Sequence, residues 1–191
     1  MRWKLLFKID QAIGKVEVVL LSVILIGIII LYSIQTVLRN GGPFIQTTLG
    51  IEVPTAILWI DPLVLHSMLW IMMLGGSVAT LDQRHMNIDL FSKVLPKKYT
   101  HFLLIFISLA AAVVIWFFAD AAVDFITLVK EDGSMESVYL PIPQWISKMI
   151  IPVGFYLIMV RFVLRAFEHA LILRGVDIGL PLATQAPIKL H

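Results

Sequence analysis

The sequence predicts an all-α integral membrane protein with four transmembrane helices and both termini in the cytoplasm. Three observations lead there. Of the 191 residues, 59% are hydrophobic and 15% charged, whereas soluble domains run near half and about a quarter. Four apolar stretches reach the roughly 20 residues that a bilayer core requires of a helix. Basic residues also alternate from one loop to the next. The mean hydropathy of +0.92 agrees. A net charge of +2 is too small to attract phosphate backbones and argues against a nucleic-acid partner. The absence of cysteine removes disulfides, thiolate catalysis, iron–sulfur clusters and zinc–thiolate sites together.

The predicted spans cover residues 16–38, 60–81, 102–129 and 145–167 of one membrane domain. In the first, the run from Val18 to Leu31 is broken only by Ser22 and Gly27. It is too long for a cleavable signal peptide, and no small-residue cleavage site follows it. Residues 1–14 and 86–99 mix apolar and basic or polar side chains in a way that suits helices lying in the headgroup layer. Residues 180–191, with Pro181 and Pro187, read as a flexible tail. The outward loops carry turn chemistry in Asn40-Gly41-Gly42-Pro43, in Asp132-Gly133 and around Pro141 and Pro143.

Orientation follows from the basic residues. Arg2, Lys4, Lys8 and Lys15 precede the first span; Arg84, Lys93, Lys97 and Lys98 lie between the second and third; Arg161, Arg165, Arg174 and Lys189 close the chain. These make twelve of the fifteen Lys and Arg residues, so this side is cytoplasmic by the positive-inside rule.

Ionisable groups within spans are functional candidates because they are costly there. Asp61, directly before Pro62, suits a helix N-terminus, with a polar contact to a partner as the alternative. His66 could make a polar contact between helices; a bis-histidine haem would need a second His at its depth, and His85, His101, His169 and His191 all fall on the cytoplasmic side. Asp120 and Asp124 share a face near the outer end of the third helix and read as solvated or salt-bridged. Glu17 reads as wetted at the inner edge, and Arg161 and Arg165 as snorkelling inward. No span shows the interrupted half-helices of a substrate site, so no catalytic, metal or substrate-binding residues are expected in this chain. Gly75 with Ala79, and Gly76 with Thr80, allow a close helix approach, either within the bundle or against a second membrane protein.

The run from Trp59 to Asp89 resembles the small membrane (permease) subunit of tripartite ATP-independent periplasmic (TRAP) transporters. The resemblance rests on Trp59 and Asp61 opening the second helix and Gly75-Gly76 within it. Arg84, His85, Ile88 and Asp89 follow, and Leu95-Pro96 closes the segment. Asp61 departs from the Glu more usual there. Ile142-Pro143-x-Trp145 and Ile151-Pro152-x-Gly154-Phe155 fit the last helix of that family.

The resemblance implies a non-enzymatic scaffold subunit in the bacterial inner membrane. It would pair with and brace a large elevator-type TRAP membrane subunit and contribute to the surface where a periplasmic substrate-binding protein docks. Trp59, Asp61, Gly75, Gly76, Arg84, His85 and Asp89 would serve the partner interface or the structure. No cofactor is expected, sodium coupling and organic-acid binding lying in the partner subunit; membrane lipids complete the surroundings. Two other readings stand beside it: a haem or quinone anchor of a respiratory enzyme, and a self-sufficient homodimeric transporter using Glu17 or Asp120.

The absence of native cysteine gives the topology a direct test. Ser134→Cys should react with an impermeant maleimide added outside cells and Lys98→Cys should not; the reverse pattern would invert the orientation.

Overall fold

The computed structural model describes residues 2–50, 56–82, 97–137 and 140–174. Helix α1 spans Arg2–Leu49, α2 Ile60–Asp82 and α3 Lys97–Asp132. A hairpin of β1 (Met135–Ser137) and β2 (Leu140–Pro143) follows, then the short α4 (Gln144–Lys148) and α5 (Ile150–Leu173). Among the described residues, four helical stretches are long and apolar enough to cross a membrane, as the sequence predicts. Arg84, His85 and Asp89 lie outside the described residues, as do most of the 86–99 stretch and the 180–191 tail.

Helix α1 departs from expectation in its length. Residues 2–14 and the first span form one helix, and it runs straight through Asn40-Gly41-Gly42-Pro43, where a turn was predicted. At 48 residues it measures about 72 Å, more than twice a bilayer core of roughly 30 Å. The turn-forming residues are carried through because each residue added to an existing helix keeps one more backbone hydrogen bond, so propagation is cooperative. The helix ends instead at Gly50, whose φ of +66° is the left-handed cap a residue without Cβ adopts cheaply. The Gly50 N–H donates to the Gln46 carbonyl at 3.0 Å.

The burial pattern of α1 shows how it is held. Phe7, Asp10, Gly14, Glu17, Leu21, Ile24, Ile28, Leu31, Gln35 and Leu38 are buried or partly buried. They recur at alternating intervals of three and four, the seam by which two helices pack as in a coiled coil. The partner is α2, running antiparallel. Gly14 lies against Leu81, Glu17 bonds Ser77, and the Gln35 side chain accepts from the Ile57 N–H at 3.0 Å. Only 6% of the most apolar window of α1 is buried, against 22–28% for the other spans, so α1 is an outer helix held along one narrow seam.

Helix α3 packs most extensively on α5. Its inward stripe is Thr100, Leu104, Ser108, Ala112, Ala119 and Ala122, mostly small side chains that bring two backbones close. Phe118 stacks on Phe155 with ring centroids 5.8 Å apart. Between α3 and α5, where the sequence predicts a loop, the described residues form a hairpin. Gly133, at φ +64°, ends α3, and the antiparallel hairpin pairs Met135 with Pro143 and Ser137 with Leu140. Gln144 then donates from its backbone N–H to the Ser134 carbonyl at 3.2 Å, closing the hairpin onto α4.

Where α2 crosses α5, Gly154 lets the helices approach closely: a Cβ built there would sit 2.9 Å from the Met73 Cβ. A Cβ on Gly75 would meet nothing within 4 Å. Gly154→Ala should therefore destabilise the fold by about 1–3 kcal/mol through overpacking, while Gly75→Ala stays within about 0.5 kcal/mol. Unfolding midpoints in mixed micelles against increasing dodecyl sulfate would show the difference; equal midpoints would refute the crossing.

Candidate functional site

Three helices converge on one guanidinium. Arg161, on α5, is 3% exposed, and Glu17, on α1, is also 3% exposed. Arg161 Nη2 donates to Glu17 Oε2 at 2.7 Å, Nη1 to Ser77 Oγ of α2 at 2.7 Å, and Nε to Asp10 Oδ1 of α1 at 3.1 Å. Ser77 is fully buried, and its hydroxyl donates onward to Glu17 Oε1 at 3.0 Å. All three nitrogens of the guanidinium, both Glu17 oxygens and the serine hydroxyl are thereby engaged in one network.

The local sequence explains the convergence. Asp10, Gly14 and Glu17 are consecutive members of the α1 seam. Gly14 between the two acids lets α1 approach closely, since a Cβ there would lie 3.6 Å from Arg161 Nη2 and would overlap Leu81 Cδ2. Ser77 occupies the face of α2 shared with Leu74 and Thr80, which are also buried. Thr80 spends its hydroxyl on the Ser77 carbonyl at 2.6 Å.

This arrangement corrects two sequence expectations. Glu17 is not wetted and Arg161 does not snorkel to the headgroups. Each finds its opposite charge at the same depth inside the bundle, so neither needs water or lipid phosphate. Glu17 is thereby committed to Arg161, which counts against a coupling role for it in a homodimeric transporter. The signal was present in the sequence as an acid one seam position from a glycine, with an arginine at similar depth in the last span. Only the pairing of α1 with α5 was missing.

The residues singled out from the sequence are spread along α2. Trp59 and Asp61 stand at its start, both exposed, with Asp61 in the first turn where the helix dipole favours an acid. They lie about 24 Å along the axis from Ser77. Gly76 faces inward, 3.7 Å from Ile158 by a built Cβ, while Gly75 faces outward. His66 Nδ1 donates to the Pro62 carbonyl of its own helix at 2.6 Å. Asp120 and Asp124 are exposed on α3. Lys148 turns from them to donate to Gln144 Oε1 at 2.7 Å and lies 5.9 Å from the Phe125 ring. At the same end Trp70 Nε1 donates to the Ser147 carbonyl at 3.1 Å, pinning α2 to α4.

Breaking the network from one side should cost more than dismantling it. Arg161→Leu leaves Glu17 buried and Asp10 partly buried without their cation, and such a break costs about 3–5 kcal/mol. Adding Glu17→Leu and Asp10→Asn should return much of that loss. A cycle of these variants, followed by unfolding in mixed micelles, checks the sign: strictly additive losses would show that the groups do not act as a unit.

The profile of one protein family matches the chain, that of the tripartite ATP-independent periplasmic transporters, DctQ component, over residues 48–171, well over half of its length. The matched segment includes Ser77 and Arg161 and leaves out Asp10 and Glu17. No curated protein and no solved structure matches.

Proposed function

Because the chain belongs to the DctQ component of tripartite ATP-independent periplasmic transporters and is a multi-pass membrane protein, we propose that it is the scaffold subunit of a sodium-driven organic-acid importer in the bacterial inner membrane. It pairs with the large elevator-type subunit, braces it, and helps form the surface on which the periplasmic binding protein docks. It performs no enzymatic step, and sodium and substrate are bound by the large subunit.

The observation that carries this reading is the outward face of α2. Asp61, Leu65, Met68, Met72 and Ala79 are exposed, and Gly75 between them faces open space. Their alternating three- and four-residue spacing draws one stripe along the helix. Packing within the chain does not require a glycine at 75, whereas a helix of a second membrane protein crossing at Gly75 and Ala79 would. The charge network and the Gly154 crossing stiffen the opposite face, which is what a fixed scaffold needs if a neighbour moves against it.

Gly75→Leu should leave the fold and membrane insertion intact yet sever co-purification with the large subunit and abolish organic-acid uptake. Gly76→Leu should instead lower the stability of the isolated chain, because Ile158 occupies its space. If Gly75→Leu retains both partner and uptake, the outer face of α2 is not the joint.

A further inference from the structure

His101, in the first turns of α3, and His169, near the end of α5, meet at the end of the bundle where α1 begins. Their Nδ1 atoms are 3.3 Å apart, with ring centroids 5.4 Å apart and planes inclined at 44°. We infer that this pair is a binding site for one imidazole-preferring divalent metal ion, of the Zn²⁺, Ni²⁺ or Cu²⁺ class, bridging α3 and α5.

The geometry supplies the argument. Two nitrogens bound to one such ion at about 2.0–2.1 Å in a tetrahedral arrangement stand roughly 3.3–3.4 Å apart. The rings already hold that separation, and they come from different helices, so binding needs little rearrangement. With neutral rings the gap is bridged by one N–H···N hydrogen bond; on binding, the donor ring's proton moves from Nδ1 to its Nε2, so that both Nδ1 lone pairs face the ion and neither ring loses a proton overall.

The donor set selects the ion. Among the described residues no group of three or more His, Asp or Glu side chains is arranged around a common point, so water completes the coordination. The two donors are imidazole nitrogens, which offer nothing to Ca²⁺ or Mg²⁺, ions that bind through oxygen. Imidazole nitrogen instead favours the later transition metals, Cu²⁺ most strongly. A bound ion would tie the start of α3 to the end of α5 at the end opposite the β hairpin.

The test uses the purified full chain in detergent, stripped with a chelator and titrated with Cu²⁺. The expected result is one Cu²⁺ per chain with two nitrogens coordinated in the electron paramagnetic resonance spectrum, together with a raised thermal unfolding midpoint. His101→Gln and His169→Gln should each abolish the two-nitrogen spectrum and the midpoint rise, whereas His66→Ala and a His85→Ala/His191→Ala double variant keep both. Circular dichroism of the Gln variants establishes that they fold; if one does not, zinc-dependent protection of His169 from diethyl pyrocarbonate in the unmodified chain provides the readout. Substoichiometric uptake, a one-nitrogen spectrum, uptake unchanged in the Gln variants or absence of zinc protection would overturn the site and leave the pair as an interhelical hydrogen bond.

Discussion

A buried guanidinium must be matched within its own surroundings, and in this bundle that requirement falls on Arg161. Removing a cation and a carboxylate from water, as for Arg161 and Glu17, costs several kcal/mol per ion, and only close geometry with every donor engaged offsets it. Arg161 meets this with three hydrogen-bonded nitrogens directed at α1 and α2. The groups fit in one arrangement only, so the network acts more on register than on net stability.

That constraint suits a helix with few other holds. In lipid the hydrophobic effect does not drive helices together, and packing and polar contacts set their positions. Helix α1 is exposed along most of its length and touches α2 along a single seam. Its polar fastenings are Asp10 and Glu17 toward one end and Gln35 toward the other, 18 residues or about 27 Å beyond Glu17. Helices α3 and α5 are joined differently, through alanines and serine on α3 that admit a close backbone approach. The bundle thus has one densely packed pair and one long helix strapped on by charge.

This division fits the scaffold role we propose. The face of α2 turned away from the network is apolar and carries glycine where the chain's own packing does not ask for one. A stiff interior behind an accommodating outer face is the arrangement by which one membrane protein can serve as a footing for another. The matched family segment begins near the end of α1 and takes in Ser77 and Arg161, while Asp10 and Glu17 precede it.

The sequence by itself determined the class of the molecule, the four spans and the family, because hydropathy and the order of short motifs along one helix are local properties. Trp59, Asp61, Gly75 and Gly76 could be singled out for the same reason: all four lie in one segment. The outward-facing carboxylates Asp120 and Asp124 were likewise legible from position alone. What only the tertiary structure decided is which side each group faces and what it meets. Gly75 and Gly76 are adjacent in sequence, yet one opens to the surroundings and the other packs on Ile158, since neighbouring helix positions are turned about 100° apart. Glu17 and Arg161 are separated by 144 residues, and nothing in either segment names the other. Their pairing exists because α1 runs antiparallel to α2 with Gly14 admitting it beside α5. Likewise the Asn40-Gly41-Gly42-Pro43 segment carries a turn signal in isolation, yet cooperative propagation carries α1 through it, and the helix ends at Gly50 with a left-handed φ of +66°.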